Sequence, residues 1–314
     1  MNDELDQLLL PRPGWFGQAL AIERVEHRIE IDGVQLHGFS WGDPKNPPVV
    51  LLHGMMAHAR CWAFIAPLLA KNYYLAALDF SGMGDSGWRE TYSLEQRADE
   101  ALGFAQALGM QNATLVCHSF GGSVGLLAVE RAPQHWSRLI ICDMTMLREE
   151  DIEAFNAQRQ NRPGMRAGMG NATGGRREHR VYADMASAQQ RFRLAPEQPC
   201  ANDYLVEYMG RHSLKQVADG WTWKFDPGII GAEHLQQNSF WLNLAPRFAK
   251  IALPKAMVYG EHSDLFRPDT ARYLRELCQD TAPIVQIPGA HHHLMLDQPQ
   301  ALTATLDTLL QTLQ

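Results

Sequence analysis

Short, nearly continuous apolar runs recur along this chain, separated by longer amphipathic segments. A strand that is covered by helices on both faces of its sheet has no polar side, so its sequence shows an unbroken apolar run. Six such runs lie at 48–54, 74–80, 113–119, 138–144, 255–261 and 283–289. The pattern predicts an α/β fold, with a mostly parallel central sheet and helices on both faces.

Helical signals occupy the segments between these runs. Residues 93–109 begin with Ser93 and Gln96 at the spacing of a capping box, repeat apolar residues with helical period and stop at Gly109. This segment is therefore predicted to be a helix.

Two further signals set the ends of elements. A helix is predicted between Ser119 and Pro133, because proline cannot continue a helix. Near the start of the chain, Asp32 and Gly33 separate two alternating segments and predict a hairpin turn. The sheet should therefore begin with an antiparallel pair.

The alternation of strand and helix breaks between residues 145 and 245. This region contains a stretch rich in glycine and arginine at 160–180, and apolar runs of the core type resume only after Pro254. We interpret 145–245 as an inserted, mainly helical cap or lid on a core that is formed by 1–144 and 246–314. The alternative is a structural excursion that covers one end of the sheet.

Composition excludes several classes of protein. With 314 residues, 46% of them hydrophobic, the chain can bury a full core. An acidic start and the absence of an apolar run of about 18 residues predict a cytoplasmic protein with no membrane partner. A net charge of −7 without a long block of like charge argues against nucleic-acid binding.

The five cysteines are scattered and include no C-x-x-C pair, so neither a disulfide framework nor a thiolate metal site is predicted. We expect a small-molecule substrate and no cofactor. The sequence does not indicate an oligomeric state.

The stretch "LVCHSFGG" at 115–122 carries the strongest chemical signal. Its centre, Cys117-His118-Ser119-Phe120-Gly121, is close to G-x-S-x-G, the sharp strand-to-helix turn called the nucleophile elbow. The residues two before and two after the serine must be small to avoid collision, and Gly121 and Cys117 are small. Ser119 is therefore a candidate nucleophile at the start of a helix, where amide groups stabilise developing negative charge.

Other parts of a hydrolytic site follow the predicted strands. The first core strand ends in His53-Gly54-Met55, which makes the Met55 and Phe120 amides candidates for an oxyanion hole. A late strand is followed by Asp264, and the last strand by a run of three histidines.

These features together resemble the α/β-hydrolase fold superfamily, in its serine-nucleophile branch with a cap domain. The order Ser, Asp, His along the chain is that of its catalytic triad. The turn "LDFSGMGDS" at 78–86 is similar to the family's D-x-R-G-x-G-x-S turn, with Ser81 in place of arginine. A serine nucleophile argues against the haloalkane dehalogenase and epoxide hydrolase branches, which attack with aspartate.

The resemblance also selects one histidine. The family loop commonly reads P-x-x-G-H, followed by an acidic residue and a proline. Aligning 288–290 and 297–299 with this pattern places the catalytic base at His292 and puts His291 at the usual glycine position. A metal site formed by His291, His292 and His293 is not expected, because three consecutive side chains on an extended segment cannot all face one ion.

Alternatives remain for the other polar residues. Asp143 follows the strand after Ser119 and is the rival of Asp264 for the triad acid. Asp79 and Asp85 are interpreted as turn residues. We interpret His118 as a packing residue beside the nucleophile, and His53 as a structural residue of its turn.

The predicted function is metal-independent serine hydrolysis, with Ser119, His292 and Asp264 forming an acyl-enzyme. We expect a carboxylesterase that acts on a small, partly apolar ester. A carbon–carbon bond hydrolase or a lactonase would use the same residues, and a non-catalytic ligand receptor or signalling protein on this fold is the alternative of another class. Candidate substrate-binding residues are Trp62, Trp221, Trp223, Arg191 and Arg193.

Overall fold

The structure, a computed structural model, describes residues 8–154, 157, 179–231 and 244–313. The strands of this part of the chain are β1 Val25–Ile31, β2 Val34–Trp41, β3 Pro48–Leu52, β4 Tyr74–Leu78, β5 Ala113–His118, β6 Trp136–Cys142, β7 Leu214–Val217, β8 Gly220–Trp223, β9 Lys255–Gly260 and β10 Ile284–Ile287. Its α-helices are α1 Gly14–Ala21, α2 Ala66–Leu69, α3 Leu94–Ala107, α4 Phe120–Arg131, α5 Met185–Gln189, α6 Asp203–His212, α7 Leu244–Lys250, α8 Pro268–Leu277, α9 Leu294–Asp297 and α10 Pro299–Thr312.

Eight of the strands form one sheet in the order β1-β2-β4-β3-β5-β6-β9-β10. The pairs β1/β2 and β2/β4 are antiparallel, and every other pair in this sheet is parallel. The predicted mostly parallel sheet with an antiparallel start is therefore confirmed. The β1–β2 turn has positive φ at both Asp32 (48°) and Gly33 (74°), which is the backbone that a two-residue hairpin turn of type I′ requires.

Both faces of the sheet are covered, which explains the unbroken apolar runs. Val50 and Leu52 of β3 pack on one face with residues of α3, α4, α7 and α8. Val49 and Leu51 point to the other face, where they join residues of α1, α2, α6, α9 and α10. Successive side chains of a strand alternate between faces, so each position of β3 needs an apolar residue.

The chain leaves the sheet after β6 and returns at β9. The described part of this excursion contains α5, α6 and the antiparallel hairpin β7–β8. Most of the glycine- and arginine-rich stretch at 160–180 lies outside the described residues. The predicted boundary at 245 falls within α7, whose Leu244, Ala245 and Phe248 are buried in the core.

The N-terminal segment ties the excursion to the core. Phe16 of α1 packs edge to face against Tyr204 and Tyr208 of α6, with ring centroids 5.3 and 5.5 Å apart. The Glu207 carboxylate, also on α6, accepts hydrogen bonds from the backbone N–H groups of Leu9 and Leu10 at 2.8 and 2.9 Å.

A second attachment follows β8. The Asp226 N–H donates to the Gly82 carbonyl at 2.7 Å, and its carboxylate accepts a 2.5 Å bond from the Tyr92 hydroxyl. Lys224 pairs with Asp85 at 2.8 Å. The excursion is thereby fixed to the loop that follows β4.

No helix among the described residues is both long and apolar enough to cross a membrane.

The capping box of α3 forms as the sequence predicts. The Ser93 hydroxyl accepts from the Gln96 N–H at 3.1 Å, and the Gln96 side chain accepts from the Ser93 N–H at 2.9 Å.

We expect Ser93→Ala to lower the free energy of unfolding by about 1 kcal/mol, because the amide at the first turn loses its acceptor. Urea denaturation of Ser93→Ala and of Thr91→Ala, an exposed neighbour outside the helix, provides the test. Equal losses in the two variants would contradict the capping argument.

Candidate active site

Ser119 lies on a sharp turn between β5 and α4. Its backbone has φ 53° and ψ −121°, a conformation with positive φ that costs energy for a residue with a side chain. The turn is held by a 3.0 Å hydrogen bond from the Ser119 N–H to the Cys142 carbonyl, and by one of 2.8 Å from the Gly122 N–H to the Ser119 carbonyl. This is the geometry of a nucleophile elbow.

The elbow needs small neighbours, and two glycines supply the space. A Cβ on Gly121 would lie 2.8 Å from the Leu52 carbonyl oxygen and 2.7 Å from that of His53, so the turn packs directly on the backbone after β3. A Cβ on Gly125 would lie 2.5 Å from the Cys117 sulfur. Cys117 can therefore occupy the position that is usually glycine, because Gly125 leaves room for its thiol.

His292 follows β10 and contacts a buried carboxylate. Its Nδ1 lies 2.8 Å from Oδ1 of Asp143, and the side chains are 3% and 0% exposed. Asp143 Oδ1 also accepts from the Ser263 hydroxyl at 2.6 Å, and Oδ2 accepts from the Gly260 N–H at 2.8 Å. Because the carboxylate orients the ring through Nδ1, the lone pair for proton transfer lies on Nε2.

The expectation that Asp264 partners His292 is therefore wrong, and the rival Asp143 takes this position. Asp143 follows β6 without a spacer, so its side chain is buried at the end of the sheet. Asp264 lies four residues beyond the end of β9 and is exposed. The loop after β9 contributes the hydroxyl of Ser263 instead. The signal that favours Asp143 is its place directly after a buried strand.

The two neighbours of His292 face different surroundings. The ring of His291 lies 5.3 Å from that of His262, and its Nδ1 is 3.6 Å from an Asp297 oxygen. His293 turns toward His118, with ring centroids 5.8 Å apart. His291 and His293 therefore lie beside different partners.

The turn after β3 lies against the nucleophile. A Cβ on Gly54 would lie 3.1 Å from His118 Nδ1 and 3.3 Å from Cβ of Ser119, so the turn packs directly against both residues. The Gly54 carbonyl accepts from the Ala57 N–H at 3.2 Å and bonds His53 Nδ1 at 2.7 Å. In a trans peptide the C=O and the following N–H point in opposite directions, so these bonds fix the direction of the Met55 N–H.

The state of His53 follows from its partners. Nε2 accepts from the Phe80 N–H at 3.1 Å, so the proton must lie on Nδ1, which donates to Gly54. Burial lowers the pKa of His53 to about 4, which keeps the ring neutral near pH 7. His53 is thus a structural residue of the turn, in line with its interpretation from the sequence.

The second candidate amide belongs to Phe120, the first residue of α4. The first N–H groups of a helix have no intrahelical acceptor. Within residues 8–154, 157, 179–231 and 244–313, no backbone acceptor is found for the N–H of either Met55 or Phe120. The described backbone therefore leaves both N–H groups without an acceptor.

His118 does more than pack beside Ser119. Its Nε2 donates to the backbone carbonyl of His292 at 2.9 Å, and the two rings are 4.8 Å apart. Burial, with a smaller effect from His292, lowers the pKa of His118 to about 3. His118 therefore links the nucleophile strand to the loop that carries His292, a contact that the sequence analysis missed.

Asp79 and Asp85 belong to the loop after β4, as expected for turn residues. The Asp79 carboxylate accepts from His37 Nδ1 at 2.7 Å, from the Ala59 N–H at 2.6 Å and from the Asp85 N–H at 2.9 Å. Burial acts to raise the pKa of Asp79, but the hydrogen bond and charge of His37 hold it below its ordinary value. A Cβ on Gly84 would lie 2.3 Å from this carboxylate, so the turn requires glycine there.

The proposed substrate-binding residues differ in their surroundings. Trp62 is fully buried in the core on the face covered by α1 and α6, so the expectation that it lines a pocket is not supported. Trp221 and Trp223 lie half-buried in the hairpin β7–β8. Arg191 and Arg193 are exposed, and Arg193 donates to the backbone carbonyls of its neighbours at 190 and 192.

Five methionines follow the carboxyl ends of strands of the main sheet. Met55 and Met56 follow β3, Met83 follows β4, and Met144 and Met146 follow β6, so all five lie just beyond the carboxyl ends of strands, as Ser119 does. All five belong to or pack against the core cluster that contains Phe120. Met144 reaches the nucleophile turn, since a Cβ on Gly122 would lie 2.7 Å from its sulfur.

Comparison with known proteins identifies the family of this chain. A sequence model of the alpha/beta hydrolase family matches residues 49–305. The chain belongs to the alpha/beta hydrolase family. The fold class expected from the sequence is thereby confirmed.

Several relatives of this alpha/beta hydrolase span nearly its whole length. A serine hydrolase-like protein of Mus musculus is 25% identical over 303 residues, which cover 87% of this chain and 91% of the relative. The structure of E-2-(acetamidomethylene)succinate hydrolase superposes with a TM-score of 0.74 at 22% identity, covering 92% of this chain and all (100%) of the other. The thioesterase domain from the curacin biosynthetic pathway gives a TM-score of 0.71 at 23% identity, with 90% and 99% covered.

The buried histidines make stability depend on pH. Burial lowers the pKa of His53 to about 4 and is the largest cause of the lowered pKa values of His118, His58 and His293, all from an ordinary value of 6.5. At pH values below 6.5 and above the lowered pKa values, these histidines are protonated in the unfolded chain but neutral in the folded chain. The free energy of unfolding should therefore fall as the pH drops from 6.5 toward 4, with each such histidine contributing up to about 1.4 kcal/mol per pH unit.

Urea denaturation at a series of pH values measures this slope. His53→Asn should reduce the slope whatever its stability at pH 8, whereas His262→Gln, at an exposed position, should leave it unchanged. A wild-type stability that is constant from pH 6.5 to 4 would contradict the argument.

Proposed function

We propose that this alpha/beta hydrolase is a serine hydrolase that cleaves small, partly apolar carboxylic esters through an acyl-enzyme on Ser119. The observation that carries the proposal is the 2.8 Å contact of His292 Nδ1 with the fully buried carboxylate of Asp143. It directs the basic nitrogen of the ring away from the carboxylate, as a general base for a serine requires.

The first half of the reaction forms the acyl-enzyme. Nε2 of His292 takes the proton of the Ser119 hydroxyl while Oγ attacks the carbonyl carbon of the ester. Asp143 stabilises the resulting imidazolium without taking its proton. The tetrahedral intermediate then collapses, and His292 returns the proton to the leaving alcohol.

Negative charge on the carbonyl oxygen needs donors during this step. The N–H groups of Met55 and Phe120 would supply them, the first fixed by the His53–Gly54 contact and the second placed at the start of α4. Loss of one such donor costs about 10²- to 10³-fold in rate. In the second half a water molecule, deprotonated by His292, attacks the acyl carbon and releases the acid and Ser119.

Two observations support the substrate class. The methionines beyond the strand ends, together with Phe120, favour an apolar acyl or alcohol group over a highly charged one. The compared structures include proteins named as a thioesterase domain and as a succinate-derivative hydrolase, whose names describe hydrolytic reactions. Binding of an anionic group by Arg191 and Arg193 is not part of the proposal, because both are exposed.

A cytoplasmic location remains the prediction from the sequence.

Labelling with a fluorophosphonate tests the nucleophile. The probe should attach to Ser119 with loss of fluoride, and Ser119→Ala and His292→Ala should lose both labelling and turnover of p-nitrophenyl acetate and butyrate. Ser123→Ala, one turn along α4, should keep both. Labelling that persists in Ser119→Ala would refute the proposed nucleophile. Absence of labelling in folded wild type would favour a ligand-binding protein on this fold.

The two candidate acids give a matched pair of variants. Asp143→Asn should lower kcat by about 10⁴-fold, because an amide cannot stabilise the charged ring in the required tautomer. Asp264→Asn should keep the wild-type kcat, since this exposed residue is not the partner of His292. Circular dichroism would establish that both variants are folded. A large loss in Asp264→Asn alone would reverse the assignment.

A further inference from the structure

Three imidazole rings from two segments of the chain meet beside the nucleophile. Ring centroids are separated by 4.8 Å for His118 and His292, 5.0 Å for His292 and His293, and 5.8 Å for His118 and His293. One ring nitrogen from each residue lies within 4.8 Å of those of the other two. This cluster differs from the consecutive triplet in the sequence, because His118 takes the place of His291.

Each ring has one nitrogen engaged by an acceptor. Nδ1 of His292 contacts the Asp143 carboxylate, and Nε2 of His118 donates to the His292 carbonyl. His293 has the backbone carbonyl of Pro196 as a hydrogen-bond partner. A histidine that donates one N–H to a carboxylate or a carbonyl presents the lone pair of its other nitrogen, which is the arrangement usual around metal-binding histidines.

The free nitrogen of His293 is a second, independent sign of a ligand. Nε2 is buried from solvent and has no hydrogen-bond partner among the described residues. A buried polar atom without a partner costs free energy, and native proteins rarely leave one unsatisfied. His292 and Asp143 account for the chemistry of hydrolysis, whereas the mechanism gives Nε2 of His293 no role.

We propose that His118, His292 and His293 form a binding site for a divalent transition-metal ion such as Zn²⁺, and that the bound ion inhibits the enzyme. Three neutral imidazoles without an oxygen ligand suit Zn²⁺, Cu²⁺ or Ni²⁺ and do not suit Mg²⁺ or Ca²⁺. Tetrahedral coordination with metal–nitrogen distances of about 2.0–2.1 Å needs nitrogens about 3.3 Å apart, whereas the three nitrogens here lie within 4.8 Å of one another, so binding would draw the rings together. Water would fill the fourth position.

Inhibition follows from the ligand set. The lone pair on Nε2 of His292 is the one that accepts the Ser119 proton in the proposed mechanism, so an ion bound there would remove the base. This part of the inference rests on the proposed function, whereas binding of the ion does not. A chelator should reverse the effect, because no covalent bond is changed.

The test uses the full chain and measures binding and turnover separately. Wild type should bind one Zn²⁺ by calorimetry, and Co²⁺ should give the visible absorption of a tetrahedral site. Turnover of p-nitrophenyl butyrate should fall with Zn²⁺ and return with EDTA. His293→Gln should keep basal turnover, because this residue has no step in hydrolysis, and should weaken Zn²⁺ binding and inhibition by at least about tenfold, as expected for loss of a direct ligand.

His262→Gln is the matched control, because the exposed His262 lies beside His291 and is not one of the three clustered rings. It should bind Zn²⁺ as wild type does. Absence of the Co²⁺ spectrum, or equal Zn²⁺ affinity in wild type and His293→Gln, would overturn the site. A Zn²⁺ site that depends on His293 in a chain without esterase activity would support the site and contradict the proposed function instead.

Discussion

The buried carboxylate of Asp143 is the contact on which the arrangement of the site depends. Removing a carboxylate from water is costly unless hydrogen bonds replace its hydration. Here the hydroxyl of Ser263, the N–H of Gly260 and the ring of His292 serve that purpose. These donors come from the last residue of β9, the loop after β9 and the loop after β10, so satisfying one charge brings three strand ends to a common point. The position of His292 is a consequence of that requirement.

Histidines show how one residue type takes different roles at the same site. His53 accepts a backbone N–H at Nε2, so it is a neutral donor that fixes a peptide plane. His118 donates from Nε2 to a carbonyl and links two segments. His292 is bonded at Nδ1 and keeps Nε2 for chemistry. In each case the partner of one nitrogen decides what the other can do.

Local patterns in the sequence were sufficient for much of this structure. Continuous apolar runs reflect the alternation of a strand and the capping box at Ser93 reflects contacts within a few residues, and both formed where predicted. The sharp turn at Ser119 also lies where its motif predicts it. The triad acid was mispredicted because Asp143 and Asp264 both follow strands. What distinguishes them is that Asp143 is buried at the carboxyl end of β6, whereas Asp264 is exposed. Trp62 was misjudged for the same reason, since burial in the core depends on helices far away in the chain. The contact of His118 with His292 joins residues 174 positions apart, which no local pattern encodes.

The excursion between β6 and β9 begins directly after Asp143. The N–H of Asp143 donates to the Val258 carbonyl at 2.7 Å, and its carboxylate accepts from Gly260 at 2.8 Å. Asp143 thus joins the end of β6, where the excursion begins, to the end of β9, the strand that follows the excursion. Since the cost of closing a loop grows only slowly with its length, segments of very different size could be exchanged between these two strand ends while the acid stays in place. The excursion can therefore be regarded as an interchangeable module, through which the range of substrates could change while the chemistry is retained.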